Sequence, residues 1–227
     1  MIKALFNALK NVFPFAPSRN ALLNTYQFQN LQFTAIDFEL TSLDQKVTQI
    51  TSVGYVTGSN GVVDLSTSDY YLVKTTADLG QSPVIHGLTE EALNNGVTLP
   101  DALNALLPRL HESILVFHNA SLDLAALHNV FVSLDLPKTD VMYIDTLKLA
   151  VYQLSKQHQV LPSHCATLLE CCERHGLPSF VEHNALDDAM ATMSLLFAQL
   201  SELGVQKHET LKVLKHTGAV GRFTLGS

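Results

Sequence analysis

The sequence lacks the features that would indicate a disulfide-stabilised, membrane-spanning or strongly basic protein. Only three of its 227 residues are cysteines, and two of these, Cys171 and Cys172, are adjacent; this predicts no disulfide framework and favours a reducing compartment. No uncharged run is apolar enough to cross a bilayer, and the first residues do not resemble a cleavable signal. These absences predict a cytoplasmic protein with no membrane span.

Positive charge is also scarce. The chain has 14 lysines and arginines against 21 aspartates and glutamates, which gives a formal net charge of −7. This balance argues against a broad basic surface for duplex nucleic acid or anionic lipid. A short phosphate-binding site assisted by metal ions is still compatible with it. The length suffices for one core and does not require two domains.

An apolar segment, FTAIDFE at residues 33–39, ends in two acids. In an extended strand, side chains two positions apart point to the same face, so Asp37 and Glu39 would share a face with Phe33 and Ala35. Two like charges repel unless a cation lies between them or one acid keeps its proton, and both situations are common at active sites. An exposed strand end whose acids face water is the simpler alternative.

Three regions are expected along the chain. Residues 1–30 form a partly helical appendage that packs on its own domain or docks on a partner or a membrane surface. Residues 31–203 form the main domain, and residues 204–227 form a C-terminal helix and tail. The apolar residues of the helical pattern in the appendage are Ile2, Leu5, Phe6 and Leu9.

The main domain begins with strand patterns and continues with helical ones. Alternation and turn signals predict a strand at 33–39, a partly covered strand at 47–57, a hairpin turn at 58–61 (GSNG), and one or two strands at 62–75. The continuous apolar run SILVFHN at 113–119 is typical of a buried strand. Strands followed by alternating strand and helix predict an α/β domain with helices packed on a mixed sheet.

A further acid follows the predicted strand at 113–119. Asp123 is expected in the first turn of the next helix, with Ser121 as the cap of that helix. A favourable interaction with the helix dipole would explain this acid without any catalytic role.

A second helix start lies at residue 184. Asn184 is expected to be the N-cap, and Asp187 the third helical residue of a capping arrangement. Capping explains Asp187, but it explains Asp188 and His183 less well. A histidine on the loop before a helix and an acid one turn into that helix can converge on one cleft.

Five motifs, taken in chain order, resemble those of the DEDDh 3′-5′ exonucleases, the family that includes the proofreading subunit of bacterial DNA polymerase III. The resemblance extends from about residue 33 to 200 and implies an RNase H-like α/β fold with a central mixed five-stranded sheet flanked by helices. The motifs are AIDFELTSLD at 35–44, HGLT at 86–89, HNASLD at 118–123, IDTLKLA at 144–150 and HNALDDA at 183–189.

The resemblance implies a catalytic site with two divalent cations. It assigns their binding to Asp37, Glu39, Asp123 and Asp188, and the role of general base to His183. Carboxylates are hard oxygen ligands that suit Mg²⁺ or Mn²⁺ better than zinc. Two such cations can activate a water and stabilise the leaving oxygen of a displacement at phosphorus. Cations between the acids would also remove the repulsion at the end of FTAIDFE.

The resemblance also implies a set of nucleotide-binding residues. Two departures from the usual family pattern affect the fit of the substrate and not metal binding: Leu40, Thr41 and Ser42 replace threonine, threonine and glycine, and Leu122 replaces phenylalanine. For His86, Thr89, His118 and Asn119, local hydrogen bonding at turns and strand ends is an alternative as probable as contact with the substrate. The expected substrate-binding residues are His86, Thr89, Leu40, Thr41, His118 and Asn119.

The expected function is metal-dependent removal of nucleotides from the 3′ end of single-stranded DNA. A ribonuclease that trims short RNA ends and a proofreading subunit that binds a polymerase, through residues 1–30, are the alternatives. A zinc site at His164, Cys171 and His175 is disfavoured because the spacing matches no common zinc motif and the neighbouring residues form the apolar stripe of a helix.

Overall fold

The computed structural model describes residues 23–42, 44, 48–75, 88–157 and 160–227. The predicted helix in residues 1–22 and the predicted substrate residue His86 lie outside the described residues. Within the described part, six strands form one mixed sheet in the order β3-β2-β1-β4-β5-β6. The strands are β1 Phe33–Leu40, β2 Ile50–Ser59, β3 Val62–Leu72, β4 Ile114–Phe117, β5 Thr139–Asp145 and β6 Val220–Leu225.

The first three strands form an antiparallel meander, and the predicted hairpin turn between β2 and β3 is confirmed. The turn consists of Asn60 and Gly61, whose φ angles of 54° and 83° are both in the left-handed region. That conformation is the one that a two-residue hairpin requires, and asparagine and glycine adopt it most readily. The segment after the turn forms a single long strand.

Strands β4 and β5 run parallel to β1, and β6 runs antiparallel to β5. The predicted count of five strands is therefore wrong by one. The additional strand lies in residues 204–227, where the sequence predicts a helix and tail, and it follows a 3₁₀ helix at Leu211–Thr217. The sequence of this strand, VGRFTL, is short and contains a glycine and an arginine, so it gives a weak strand signal. Its pairing with the open edge of β5 is a tertiary contact, which a local sequence pattern does not indicate.

Helices cover both faces of the sheet. Ile36 and Phe38 pack in a core cluster with helices α2 and α3, whereas Phe33 and Ala35 pack in a second cluster with α6. Because both faces are covered, β2 is buried along nearly its whole length, and the expectation that it is partly covered is wrong. The helices are α1 Glu90–Asn94, α2 Leu99–Glu112, α3 Ala120–Ser133, α4 Thr146–Gln157, α5 Leu168–Arg174 and α6 Ala185–Glu202.

Within the described ranges, no helix is both long and apolar enough to span a bilayer.

Candidate active site

The carboxyl end of β1 carries the first two acids of the site. Asp37 and Glu39 follow Phe33 and Ala35 on the face that α6 covers, as the alternation in FTAIDFE predicts. Their carboxylate oxygens, together with one from Asp188, all lie within 4.8 Å of one another. Glu39 is only 5% exposed, so these acids do not simply face water at an open strand end.

A glycine on the neighbouring strand brings Asp188 to this position. Gly54 is the pairing partner of Asp37 in the β1–β2 ladder. A Cβ atom placed on Gly54 would lie 2.2 Å from the carbonyl carbon of Ala185 and 2.3 Å from the amide nitrogen of Leu186. The first turn of α6 therefore lies directly on the backbone of β2, which places the acid one turn further along the helix beside Asp37.

The fourth acid arrives from α3, the helix that follows β4. Because β4 runs parallel to β1, both strands end at the same edge of the sheet. Asp123 is 7% exposed, and its Oδ1 accepts a hydrogen bond from the backbone N–H of Phe38 at 3.2 Å. This bond attaches Asp123 to the part of β1 that lies between Asp37 and Glu39.

The predicted cap of α3 is wrong. The hydroxyl of Ser121 donates to the side chain of Asn119 at 3.0 Å, and Asn119, which occupies the N-cap position, makes no side-chain capping bond. The N–H groups of Asn119 and Ala120 donate instead to the carboxylate of Asp145. By contrast, the predicted N-cap of α6 is confirmed, because Asn184 Oδ1 accepts from the N–H groups of Leu186 and Asp187.

Burial and mutual repulsion raise the pKa values of the clustered acids. The pKa of Asp37 lies well above its usual value because the carboxyl is buried and faces the charges of Asp123, Asp188 and Glu39. Burial raises the pKa of Asp123 to about 8, although the N–H of Phe38 opposes this shift.

The same causes act on Asp188. Burial and the charge of Glu39 raise its pKa to about 7, whereas the N–H of His183 opposes the rise. Near neutral pH the cluster therefore holds protons that divalent cations would replace. An oxygen-only donor set of converging carboxylates fits Mg²⁺ or Mn²⁺.

His183 lies on the loop before α6 in a left-handed backbone conformation, with φ 63°. Its backbone N–H donates to Asp188 Oδ2 at 3.0 Å, so the acid holds the loop in place. The side chain is exposed and lines the same cleft as Asp37 and Asp188. The arrangement thus presents an accessible imidazole at the acid cluster.

Two of the four acids, Asp37 and Asp188, line a cleft with a volume of about 650 Å³. The rest of the lining, called the cleft wall below, is largely apolar, and no lysine or arginine is among the described residues that line the cleft. Val160 and Val181, which are next in the chain to the lining residues Leu161 and Phe180, are 83% and 67% exposed. The apolar lining residues include Leu122, Leu147, Val151, Leu161 and Phe180.

Two of the predicted substrate residues, His118 and Asn119, line this cleft. Both ring nitrogens of His118 are engaged with protein groups, at 2.9 Å from Thr146 Oγ1 and 2.9 Å from the carbonyl oxygen of Ala166. Burial lowers the pKa of His118 despite these bonds and the nearby charge of Asp145.

The other predicted substrate residues in the described part do not line this cleft. Leu40 ends β1 and is half-buried. Thr41 Oγ1 accepts from the N–H of Gln49 at 3.0 Å, and Thr89 caps α1 by accepting from the N–H of Ala92 at 3.2 Å. The structure thus shows local backbone contacts for both threonines.

The alternative zinc ligands do not come together. His164 lines the cleft, whereas His175 Nε2 lies 3.1 Å from a carboxylate oxygen of Glu202 and Cys171 is buried in a third core cluster. The one group of three or more metal-binding side chains found among the described residues is Asp37, Glu39 and Asp188.

Sequence reasoning missed two residues that shape the site. Gly54 carries no motif, and its role depends on a helix from a distant part of the chain. Asp145 lies within the quoted motif IDTLKLA, and an acid between a strand and a helix is a signal for capping. Neither residue was expected to position the acids.

A mixed sheet whose central strand and flanking helices bring acids to one cleft is the architecture of the RNase H-like nucleases. The sequence model of the exonuclease family RNase_T matches residues 34–196, and the chain belongs to this family. The catalytic residues predicted above all lie within the matched segment.

Curated relatives include PolC-type DNA polymerases III. That of Thermotoga petrophila is 33% identical over 199 residues, which make up 84% of this chain and 14% of that protein. That of Oceanobacillus iheyensis is 29% identical over 194 residues, or 82% of this chain and 13% of that protein. The chain thus spans only a small part of the length of these relatives.

Solved structures share the fold. Exonuclease X in complex with 5′ overhanging duplex DNA superposes with a TM-score of 0.58 at 22% identity, covering 80% of this chain and 98% of that one. The nuclease domain of 3′hExo, a DEDDh family member bound to rAMP, gives a TM-score of 0.63 at 15% identity, covering 82% and 99%. The comparisons confirm the resemblance to DEDDh exonucleases and the RNase H-like fold.

Proposed function

We propose that this protein is a metal-dependent 3′-5′ exonuclease that releases nucleotides from an unpaired 3′ end of DNA. The observation that carries the proposal is the convergence of carboxyl groups from β1 and α6, with the α3 acid Asp123 bonded to the backbone of β1 between them, beside a cleft that an exposed histidine also lines. Membership of the exonuclease family supports it. The 3′-5′ polarity rests on the DEDDh pattern of motifs.

Four acids would hold the metal ions: Asp37, Glu39, Asp123 and Asp188. Two bound Mg²⁺ or Mn²⁺ ions would supply a nucleophilic water and would stabilise charge on the departing oxygen. The raised pKa values of Asp37, Asp123 and Asp188 support this assignment, because each acid lies in an environment that disfavours its charge without a cation.

His183 would serve as the general base. The imidazole is exposed in the cleft, and its backbone is held beside Asp188. A histidine in this position can accept the proton of an attacking water. Its exposure leaves room for the side chain to turn toward the substrate and away from it.

The composition of the cleft wall favours an unpaired strand as the substrate. The described wall offers no lysine or arginine to a phosphate backbone, and its apolar side chains complement the faces of nucleobases. Stacking and apolar contact with bases are largely independent of sequence and need the bases to be unpaired. His86, Thr89, Leu40, Thr41 and Asn119 are proposed to contact the terminal nucleotides.

Two related functions have specific support. The PolC-type relatives suggest proofreading within or beside a polymerase, with residues 1–30 as the proposed contact. The structural neighbour bound to rAMP suggests an RNA substrate. Binding to a purified polymerase catalytic subunit, and parallel digestion of DNA and RNA, distinguish these functions from the main proposal.

The test uses single-stranded DNA and RNA oligonucleotides labelled at either end, with Mg²⁺, Mn²⁺ or a chelator. We expect metal-dependent, stepwise shortening from the 3′ end and a loss of about a hundredfold or more in Asp37→Asn and His183→Ala. Asp187→Asn is the matched control, because Asp187 lies beside Asp188 on α6 but lines a different cavity. Shortening that persists in chelator, or full activity in Asp37→Asn, would contradict the proposal.

A further inference from the structure

Elements that carry or enclose the candidate site meet at the junction of β5 and α4, where Asp145 and Thr146 are buried side by side. We propose that these two residues form a hub that positions the Asp123 helix, α6 and the cleft wall, and that the affinity of the acids for divalent cations depends on it. The inference rests on the proposed function, since it assumes that the acid cluster binds such ions.

Asp145 connects the starts of two helices through one carboxylate. It is 3% exposed. Its Oδ1 accepts from the backbone N–H groups of Asn119 at 3.2 Å, Leu147 at 3.1 Å and Lys148 at 3.4 Å, and its Oδ2 accepts from that of Ala120 at 3.3 Å. A carboxylate at two helix N-termini is also favoured by both helix dipoles.

This connection matters because α3 has no cap of its own. Asn119, at its N-cap position, has φ 73° and makes no side-chain capping bond. The position of α3 therefore depends on Asp145 in β5. Asp123 lies one turn into the helix and is bonded to the backbone of Phe38, so a shift at the start of α3 would move Asp123 relative to Asp37.

Thr146 extends the hub to α6 and to the cleft wall. Its hydroxyl oxygen lies 3.1 Å from the carbonyl oxygen of Phe117 and 2.9 Å from Nδ1 of His118, so its one proton is shared between these two acceptors. Its carbonyl accepts from the side chain of Gln199, a fully buried residue of α6, at 3.0 Å. His118 Nε2 donates to the carbonyl of Ala166 at 2.9 Å, which attaches the wall to β4.

These contacts identify His118 as a positioning residue. A backbone carbonyl can only accept, so Nε2 carries the proton that is shared with Ala166. With the other ring nitrogen beside Thr146, neither nitrogen is directed at the acid cluster. Its place in the cleft therefore follows from holding the wall, and a direct bond to substrate is not required.

The first test compares Asp145→Asn with the control Asp140→Asn. Asp140 is an exposed acid on the same strand, and in the described contacts its side chain accepts a hydrogen bond only from Thr224. The amide nitrogen of asparagine cannot accept from a backbone N–H, so the variant loses part of the hub without losing volume. Binding of Mn²⁺ to the free protein is measured by electron paramagnetic resonance. Hydrolysis of the p-nitrophenyl ester of thymidine 5′-monophosphate is measured over a range of Mn²⁺ concentrations.

We expect the dissociation constant for Mn²⁺ to rise about tenfold or more in Asp145→Asn, as for other partners of metal ligands, and to stay at the wild-type value in Asp140→Asn. Activity should recover largely at saturating Mn²⁺. A purely structural role would lower the melting temperature and leave the dissociation constant unchanged, and that result would overturn the inference.

A second pair of variants tests whether the charge of Asp145 alone accounts for the change in Mn²⁺ binding. The same pair replaces the first test if Asp145→Asn does not fold. Thr146→Val removes the hydroxyl at equal shape, whereas Thr146→Ser keeps it. We expect weaker Mn²⁺ binding in the valine variant and wild-type binding in the serine variant; equal binding in the two would contradict the hub. Wild-type protein that binds no Mn²⁺ and hydrolyses neither the oligonucleotides nor the p-nitrophenyl ester would refute the proposed function itself.

Discussion

At the scale of single residues, the site depends on one position where a side chain is absent. Gly54 lies opposite Asp37 in the β1–β2 ladder, and the backbone of Ala185 occupies the space that any Cβ would need. Because that neighbour is the backbone of a helix and not a flexible side chain, it cannot give way locally. Glycine at this position is what allows the helix with Asp188 to approach the strand with Asp37.

We therefore expect Gly54→Ala to lift the start of α6 from the sheet. The added methyl should lower the free energy of unfolding by about 3 kcal/mol and weaken Mn²⁺ binding, because Asp188 moves away from Asp37 and Glu39. Denaturant unfolding and Mn²⁺ titration measure the two effects.

Gly58→Ala is the matched control for this prediction. It lies on the same strand, but its added Cβ would meet the ring of Phe197 and the carbonyl of Val62, at the other end of β2. We expect it to affect stability and not Mn²⁺ binding. Equal Mn²⁺ binding in Gly54→Ala and wild type would show that the close contact does not set the site.

At the scale of elements, the sheet is completed by β6. This strand pairs with β5 over its whole length, and its last residue, Leu225, is fully buried in the cluster that also holds Ile36 and Phe38. The strand is short, but it covers the edge of β5, the strand that ends in Asp145. An open edge there would expose unpaired backbone groups beside the core.

Leu225→Ala should accordingly cost about 3 kcal/mol in the free energy of unfolding, the usual cost of a cavity at a fully buried leucine. Thr224→Ala, at the exposed neighbouring position, should change stability by less than about 1 kcal/mol. Urea denaturation followed by circular dichroism measures both. If the two variants were equally stable, β6 would not be part of the folded core.

At the scale of the whole molecule, the main feature is a protein of net charge −7 that concentrates buried acids at one place. Such a cluster destabilises the metal-free fold when its acids ionise, and the ionised acids are the form to which cations would bind. Stability, pH and metal are therefore linked. The linkage can be measured without any substrate.

The direction follows from the raised pKa values. Asp123 and Asp188, at about 8 and about 7 in the folded protein, hold protons that the unfolded chain, with a usual value of 3.8, has already lost. Stability of the metal-free protein should therefore fall as pH rises from about 4 to about 8. His118, whose pKa is lowered from 6.5, acts in the opposite direction, but only below that value.

The pH range to measure is thus from about 6.5 to about 8, where the acids change the stability without the opposing effect of His118. We expect the melting temperature in chelator to decrease across this window and the increase caused by Mg²⁺ to grow with pH. Asp37→Asn should flatten both trends, whereas Asp187→Asn should not. A Mg²⁺ effect that is independent of pH would contradict the linkage.

The local features of this protein follow from its sequence alone: the alternation that puts Asp37 and Glu39 on one face, the Asn60-Gly61 turn and the cap at Asn184. Each depends on the backbone preferences of a few adjacent residues. Only the tertiary structure decided the contact of Gly54 with α6, the sixth strand and the four backbone bonds to Asp145. These depend on packing between segments far apart in the chain, which leaves no periodic trace in either segment.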